Sequence, residues 1–399
     1  MKKLISGVLA ATMALSLAAC GSDAGSTAPA SDGATSEASS DAGTIKLGGI
    51  GPVTGANAQY GTAVQNGEQL AVDEINAAAG YTVFQLDFED DESDSEKAVN
   101  AFNTLLDNGM QVLLGPVTSD PSISVAAECA SDNIFMLTPS ASSQDVVETG
   151  AGNAFQMCFT DPNQGKTAAD YIADNSLGTA IGIIYDSSDA YSTGIYTAFR
   201  AEAEAKGLKI VQTSSFTADN NTDLSTQVSQ CQQAGADLVF LPIYYQQASQ
   251  VLIAANNIGY EPAFFGCDGM DGILSIDGFD TSLANGLMLL CPFSAYGEDE
   301  TTTTFVSAYQ AAYNETPNQF AADAYDCVYA VYECVKDGTI TADMSAEDMC
   351  DALKAAFPSM TFSGTTGENQ TWSEDGTVTK EPKVYQVQDG AYTLMSSEG

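Results

Sequence analysis

The sequence predicts an α/β protein made of two doubly wound lobes. Short β-rich runs alternate with amphipathic stretches of helical period, which is typical of a parallel sheet covered by helices. The alternation runs once up to Thr160 and starts again after Asp161-Pro162, without a close sequence repeat. A chain of 399 residues also exceeds one typical domain, which favours two similar lobes.

The first series contains four predicted strands and three predicted helices. The strands are expected at Ile45 to Ile50, Val83 to Phe88, Val112 to Leu114 and Ile134 to Leu137. The helices between them are expected near Tyr60 to Ala79, Ser95 to Asn108 and Pro121 to Ala130. This order predicts a parallel sheet.

The second series repeats the rhythm. Its strands are expected at Ala180 to Tyr185, Lys209 to Phe216, Leu238 to Leu241 and Ala263 to Phe265. Its helices are expected near Gln164 to Ser176, Ser192 to Lys206, Leu224 to Ala234 and Ala248 to Asn257. After a strand at Gly286 to Cys291 we expect helices at Thr302 to Tyr313, Gln319 to Lys336 and Ala346 to Phe357, then short strands.

The helices and strands that follow Cys291 must complete one or both lobes. We predict an N-terminal lobe of residues 44–160 and 292–361, and a C-terminal lobe of residues 161–291 and 362–399. A chain that crosses between lobes more than once forms a hinge of several segments.

The N-terminus is typical of an export signal. Two lysines precede an apolar run that is too short for a stable membrane span, and Leu17-Ala18-Ala19-Cys20 follows. We predict a signal peptide at residues 1–19, a lipid on Cys20 and a disordered tether at residues 20–43, rich in Gly, Ser and Ala. The expected location is extracytoplasmic, with the lipid anchored in the cell membrane. The alternative is an ordinary signal peptide with an incidental Cys20.

Composition excludes several classes of function. With 12 Lys plus Arg against 53 Asp plus Glu, the formal net charge is −41, which excludes a nucleic-acid partner and a basic membrane-binding face. The chain has no His, so Ser-His-Asp and Cys-His nucleophile pairs and the commonest zinc ligand are missing. The eight cysteines after Cys20 form no C-x-x-C pair, and buried free thiols are expected. We predict that the protein is not an enzyme and that it binds neither a metal ion nor a cofactor.

Two polar loops follow predicted strands at one edge of the first sheet. Residues 115–121 offer hydroxyl groups at a helix start, and residues 138–143 form a second hydroxyl-rich loop. Ligands of open α/β sheets sit beyond the carboxyl ends of strands, where helix N-termini present free N–H groups. The loops could bind one carboxylate, or they could be ordinary caps and turns.

Several segments then show a resemblance that covers nearly the whole chain after the tether. They are Ile50-Gly51-Pro52-Val53-Thr54-Gly55 with Gln59-Tyr60-Gly61, Leu113-Leu114-Gly115-Pro116-Val117-Thr118-Ser119, Thr138-Pro139-Ser140-Ala141-Ser142, Tyr185-Asp186 with Ala190-Tyr191-Ser192, Tyr244-Tyr245, and Phe265-Gly266-Cys267-Asp268-Gly269. In order and spacing they resemble the leucine/isoleucine/valine-binding family. Its members are type I periplasmic-type binding proteins that feed ABC importers.

The resemblance implies a site for a zwitterion. The hydroxyl groups of Ser119 and Ser142, with nearby backbone N–H groups, would hold the ligand carboxylate, and Ala141 belongs to the same loop. The backbone carbonyl of Ser140 and the carboxylate of Asp268 would take the ligand ammonium. The alternative for Asp268 is a solvated loop aspartate beside glycine.

Three tyrosines would complete the implied site, and the two lobes would close on the ligand. Tyr60 would belong to the first lobe, whereas Tyr191 and Tyr244 would belong to the second, although each could instead be a core aromatic. The expected function is capture of an amino acid, branched-chain or otherwise aliphatic, by a monomer that delivers it to an ABC permease. Two alternatives are a sensor subunit that reports to a signalling partner and a secreted enzyme with a cleft Ser or Asp.

Overall fold

The computed structural model describes residues 43–395. The predicted signal peptide, Cys20 and nearly all of the predicted tether lie outside the described residues. Among residues 43–395, no helix has the length and apolar character needed to cross a membrane.

The described strands fall into two groups that match the two predicted series. The strands are β1 (Ile45–Gly51), β2 (Phe84–Asp90), β3 (Val112–Leu114), β4 (Met136–Thr138), β5 (Ala154–Gln156), β6 (Ile181–Asp186), β7 (Ile210–Phe216), β8 (Leu238–Leu241), β9 (Ala263–Gly266), β10 (Met288–Cys291), β11 (Thr361–Phe362), β12 (Gln370–Thr371), β13 (Lys383–Gln388) and β14 (Ala391–Leu394).

Helices separate most of these strands. The α-helices are α1 (Ala58–Ala79), α2 (Ser95–Asp107), α3 (Ser119–Asp132), α4 (Gln144–Gly150), α5 (Asp161–Asp174), α6 (Ala190–Lys206), α7 (Ser225–Gln233), α8 (Tyr245–Asn257), α9 (Glu300–Tyr313), α10 (Gln319–Lys336) and α11 (Ala346–Ala356). Every strand and helix for which we predict bounds is present, and its ends differ by at most three residues. The sequence analysis missed α4 and β5, which are short.

The two main sheets have the same strand order, which confirms the prediction of two doubly wound α/β lobes. The first sheet runs β2-β1-β3-β4-β5, and all its neighbours are parallel. The second contains β7-β6-β8-β9-β10 as a parallel set, extended by antiparallel β13 and β14. The strand order reverses between β1 and β3 in the first sheet and between β6 and β8 in the second. Ligands of open α/β sheets bind at such points of reversal.

The chain crosses between the lobes three times. The crossings lie after β5, between β10 and α9, and before β13. The third crossing lies later than the boundary after residue 361 that we predict. Trp372 is buried against Phe357, and its indole N–H donates a 2.8 Å hydrogen bond to the carbonyl oxygen of Gln156 in the first sheet. Residues 362–380 therefore pack with the first lobe, and Lys383 begins the return to the second.

Two glycines allow α1 to sit close to its neighbours. A Cβ atom on Gly67 would overlap the carbonyl oxygen of Ala321 in α10, and one on Gly61 would overlap the carbonyl oxygen of Pro52. Because both positions lack a side chain, the first turn of α1 can pack directly against the end of β1. This contact places Tyr60 at the edge of the first sheet.

The predicted free thiols are present in the described part of the chain. The cysteines, all buried and unpaired, are Cys129, Cys158, Cys231, Cys267, Cys291, Cys327, Cys334 and Cys350. Burial raises the pKa of these thiols, as for Cys267, so they pack as small apolar groups.

Candidate functional site

One cavity lies between the carboxyl ends of the two sheets. It is lined from the first lobe by residues after β1, β3 and β4 and from the second by residues after β6, β8 and β9. The lining residues are Tyr60, Val117, Thr118, Ser119, Ser140, Tyr191, Tyr244, Asp268, Gly269 and Phe320. The cavity volume is about 10 Å³, room for about one water molecule, so a larger molecule enters only when the lobes separate.

Six of the predicted site residues line this cavity, and two do not. The six are Tyr60, Ser119, Ser140, Tyr191, Tyr244 and Asp268. Ser142 is buried, and its hydroxyl donates a 2.6 Å hydrogen bond to Oδ1 of Asp161, away from the cavity. The side chain of Ala141 packs in the core of the first lobe, and its N–H donates to the hydroxyl of Thr138.

The buried carboxyl of Asp161 determines the direction of the Ser142 hydroxyl. Asp161 begins α5 just after the first crossing, and its side chain is buried. Burial raises the pKa of Asp161, and the hydrogen bond from Ser142 opposes this effect. A buried carboxyl needs a donor, so the hydroxyl that we expect at the ligand carboxylate is already used inside the protein.

Tyr60 connects the two lobes across the cavity. Its hydroxyl donates a 2.5 Å hydrogen bond to the carbonyl oxygen of Gly269 and accepts a 3.3 Å bond from the N–H of Tyr245. Its ring packs on Phe320 with the centroids 4.4 Å apart and lies edge-on to Tyr244 at 5.7 Å. The aromatic rings therefore form an apolar wall, and the hydroxyl of Tyr60 is a hydrogen-bonded bridge.

Asp268 is a buried carboxyl held by a neighbouring tyrosine. The hydroxyl of Tyr191 donates a 2.8 Å hydrogen bond to Oδ1 of Asp268 and accepts a 2.9 Å bond from the N–H of Gly269. The ring of Tyr191 stacks on Tyr244 at 4.8 Å. Burial raises the pKa of Asp268 to about 7, although the hydrogen bonds from Tyr191 and Gln164 oppose this rise. A positive charge beside Asp268 would favour its ionised form.

The hydroxyl groups on the opposite wall belong to the first lobe. The hydroxyl of Ser140 donates a 2.8 Å bond to the carbonyl oxygen of Val117, and the hydroxyl of Ser119 accepts a 3.4 Å bond from the N–H of Ser143. Ser119 is the first residue of α3, where backbone N–H groups have no partner within the helix.

Four lining residues are not among the predicted site residues, namely Val117, Thr118, Gly269 and Phe320. Thr118 is only 5% exposed, and its hydroxyl has no hydrogen-bond partner among the described residues. It stands beside Ser119 in the hydroxyl-rich loop of residues 115–121, and this position is the sequence signal that identifies it as a candidate. Phe320 lies in the first turn of α10, far along the chain, and nothing in the local pattern distinguishes it from a core residue.

Comparison with known proteins identifies the family. A family model described as periplasmic binding protein matches residues 44–391. A Leu/Ile/Val-binding protein, BraC3, of Rhizobium johnstonii is 28% identical over 350 residues, which covers 84% of this chain and 89% of that protein. A leucine-, isoleucine-, valine-, threonine- and alanine-binding protein of Pseudomonas aeruginosa is 26% identical over 335 residues, covering 84% and 87%.

Solved structures agree with this result. The branched-chain amino acid transporter substrate-binding protein LivJ of Streptococcus pneumoniae, in complex with isoleucine, aligns with a TM-score of 0.79 and 26% identity. The alignment covers 88% of this chain and 99% of that chain. The match extends through both lobes and all three crossings. The chain belongs to the periplasmic binding protein family, in its leucine/isoleucine/valine-binding group.

Proposed function

We propose that this protein captures an amino acid with an aliphatic side chain between its lobes and delivers it to an ABC permease. The observation that carries the proposal is the cavity between Ser119 and Asp268, to which both sheets contribute their carboxyl ends. The proposal is supported by the relatives of Rhizobium johnstonii and Pseudomonas aeruginosa, which are binding proteins for leucine, isoleucine and valine. The protein is a carrier in this proposal and performs no chemistry.

The cavity offers the groups that a zwitterion needs when it leaves water. The hydroxyl of Ser119 and the free N–H groups at the start of α3 would hold the ligand carboxylate. Thr118 adds a buried hydroxyl that has no partner among the described residues. Asp268 and the carbonyl oxygen of Ser140 would accept from the ligand ammonium, and the rings of Tyr60 and Tyr244 would contact the aliphatic side chain.

Hydrogen bonds between the lobes stabilise the closed arrangement. Tyr60 bonds to Gly269, and the hydroxyl of Tyr245 donates a 2.8 Å bond to the carbonyl oxygen of Ala56 in the first lobe. The amide of Gln59 donates a 2.7 Å bond to the carbonyl oxygen of Ser275. A ligand that touches both walls binds the closed form better than the open form, so it shifts the population toward closure.

Attachment to the membrane and delivery to a permease belong to the same proposal. They are supported by the Leu17-Ala18-Ala19-Cys20 pattern at the N-terminus and by the pneumococcal relative, which is the substrate-binding protein of a transporter. The protein acts as a lipid-anchored monomer on the outer side of the cell membrane. Replacing Cys20 by Ala is expected to move it from the membrane fraction to the soluble fraction, and an unchanged distribution would contradict the anchor.

The ligand site is tested by calorimetric titration with individual amino acids. Asp268→Asn should weaken binding by at least about 30-fold, because the ligand ammonium loses its buried counter-charge. The matched control is Asp91→Asn, which changes another fully buried carboxyl whose pKa is raised to about 7 by burial but which does not line the cavity. The control should bind as the wild type does. Equal affinity of the Asp268 variant would contradict the ammonium site.

The transport role needs a separate measurement in cells. Deletion of the gene should abolish uptake of the radiolabelled amino acid that the purified protein binds. Uptake that continues at the wild-type rate would contradict delivery to a permease, and it would favour the sensor alternative with the same ligand.

A further inference from the structure

A second cavity adjoins the first at Thr118 and Tyr244, which line both. Its volume is about 190 Å³, against the 10–15 Å³ that one water molecule needs. It lies between the lobes, because Asp120 and Pro121 line it from α3 whereas Ser188 lines it from the loop after β6. A side chain that extends past Tyr244 would enter this space.

The lining of the second cavity is rich in hydrogen-bond acceptors and holds no Lys or Arg. Three carboxylates face it, namely Asp120 from the first lobe and Asp186 and Asp189 from the second. Oδ1 of Asp189 accepts the N–H of Ser192 at the start of α6, and Oδ2 accepts only a long, 3.4 Å bond from the hydroxyl of Tyr244. Oδ1 of Asp186 accepts the N–H and the hydroxyl of Ser188, so it is the carboxylate of Asp189 that the protein satisfies only in part.

Three residues that line the same cavity have buried polar atoms without partners among the described residues. Gln247 is 9% exposed, and its Oε1 has no hydrogen-bond partner among the described residues. The same holds for Oδ1 of Asn57 and for the hydroxyl of the deeply buried Thr118. A buried acceptor without a donor costs roughly 1–3 kcal/mol, so the two amide oxygens of Gln247 and Asn57 in the wall of one cavity favour a donor from outside the chain.

Like charges face each other across this cavity. Burial, together with the nearby charges of Asp120 and Asp186, raises the pKa of Asp189 to about 7. Burial also raises the pKa of Asp120, as does the charge of Asp186 on the opposite lobe. Closure of the lobes therefore brings carboxylates together unless a positive charge lies between them.

We propose that the second cavity receives a cationic group at the end of the ligand side chain, so that the preferred ligand is a basic amino acid. This inference rests on the proposed function, since the first cavity still holds the zwitterion and the aliphatic stem. The end of the stem carries an ammonium or guanidinium group. That group donates to Asp189, Gln247 and the neighbouring acceptors and reduces the repulsion between the lobes.

The test compares amino acids that differ only in the charge at the end of the side chain. Lysine is paired with norleucine, and arginine with citrulline, and each is titrated calorimetrically into the full chain. We expect lysine to bind at least tenfold more tightly than norleucine, and arginine at least tenfold more tightly than citrulline. If norleucine and leucine bind as tightly as lysine, the inference is overturned and the proposed function stands. If no amino acid binds, both the inference and the proposed function are contradicted.

A variant assigns the effect to the second cavity. Asp189→Asn keeps the volume of the side chain and its ability to cap α6, and it should lower the affinity for lysine at least tenfold while norleucine stays within twofold. The matched control is Asp299→Asn, since Asp299 caps α9 in the same way and lies outside both cavities. The control should leave the affinities for lysine and norleucine unchanged. A lysine affinity that is unchanged in the Asp189 variant would overturn the assignment.

Discussion

Replacing Tyr60 by Phe tests whether the hydroxyl bridge between the lobes sets the affinity for the ligand. The substitution keeps the ring that packs on Phe320 and Tyr244, and it removes the hydroxyl that donates to Gly269 and accepts from Tyr245. Both lost partners belong to the second lobe. In the open form they can bond to water instead, so the loss falls on the closed form.

The magnitude follows from two hydrogen bonds. Each contributes a net of about 1 kcal/mol, and the donor and acceptor that remain are buried when the lobes close. We therefore expect the closed form of Tyr60→Phe to be destabilised relative to the open form by about 2 kcal/mol. Because a ligand must drive closure against this difference, its affinity should fall by roughly 30-fold.

The assay is calorimetric titration of wild type and variants with the tightest-binding amino acid, together with small-angle scattering of the same samples. The matched control is Tyr260→Phe, which also removes a hydroxyl that donates to a backbone carbonyl, at 2.8 Å from Ala236. Both residues of that pair lie in the second lobe, so the control should lose stability but keep its affinity. If Tyr60→Phe binds within twofold of wild type, the bridge does not control closure and the reasoning fails.

Two further predictions concern stability. Lys380 forms a buried 2.6 Å ion pair with Asp323, so Lys380→Met should cost about 3–5 kcal/mol in denaturant unfolding at pH 8. The cost should be smaller at pH 5, because burial raises the pKa of Asp323 to about 6 and the group can then be neutral. The exposed pair of Lys166 is the control, and Lys166→Met should cost less than about 1 kcal/mol; equal losses in the two variants would contradict this account. The wild-type protein without ligand should lose stability as the pH rises from 4 to 7. The pKa values of Asp189 and Asp268 are raised to about 7 by burial, so the folded state keeps protons that the unfolded chain has released. Each unit of such a shift corresponds to about 1.4 kcal/mol, and a melting temperature that rises between pH 4 and pH 7 would refute the prediction.

The regular elements could be predicted from the sequence because their periodicity is strong. The strands β1 and β8 and the helices α1 and α10 each have an apolar pattern that matches one period, and the structure has them where we expect them. The short β5 and α4 contain too few residues to establish a period. The late third crossing was missed because the burial of Trp372 depends on contacts with Gln156, which is distant in sequence.

The candidate site could be predicted in part. The loops after β3 and β4 indicated hydroxyl groups near Ser119 and Ser140, and the resemblance supplied Tyr60, Tyr191 and Asp268, all of which line the cavity. The direction of a side chain could not be predicted. The hydroxyl of Ser142 bonds to a buried carboxyl, that of Asp161, which is 19 residues away in the chain, beside the first crossing.

The three crossings also determine when each lobe can fold during synthesis. The helices α10 and α11, which cover the first sheet, are made only after the strands β6 to β10 of the second sheet. The second sheet in turn lacks β13, beside β10, until the last residues are made. Neither half of the molecule is a continuous stretch of chain. A chain that ends just before Lys383 contains all segments of the first lobe but lacks the antiparallel edge of the second sheet, and no single cut separates two intact lobes.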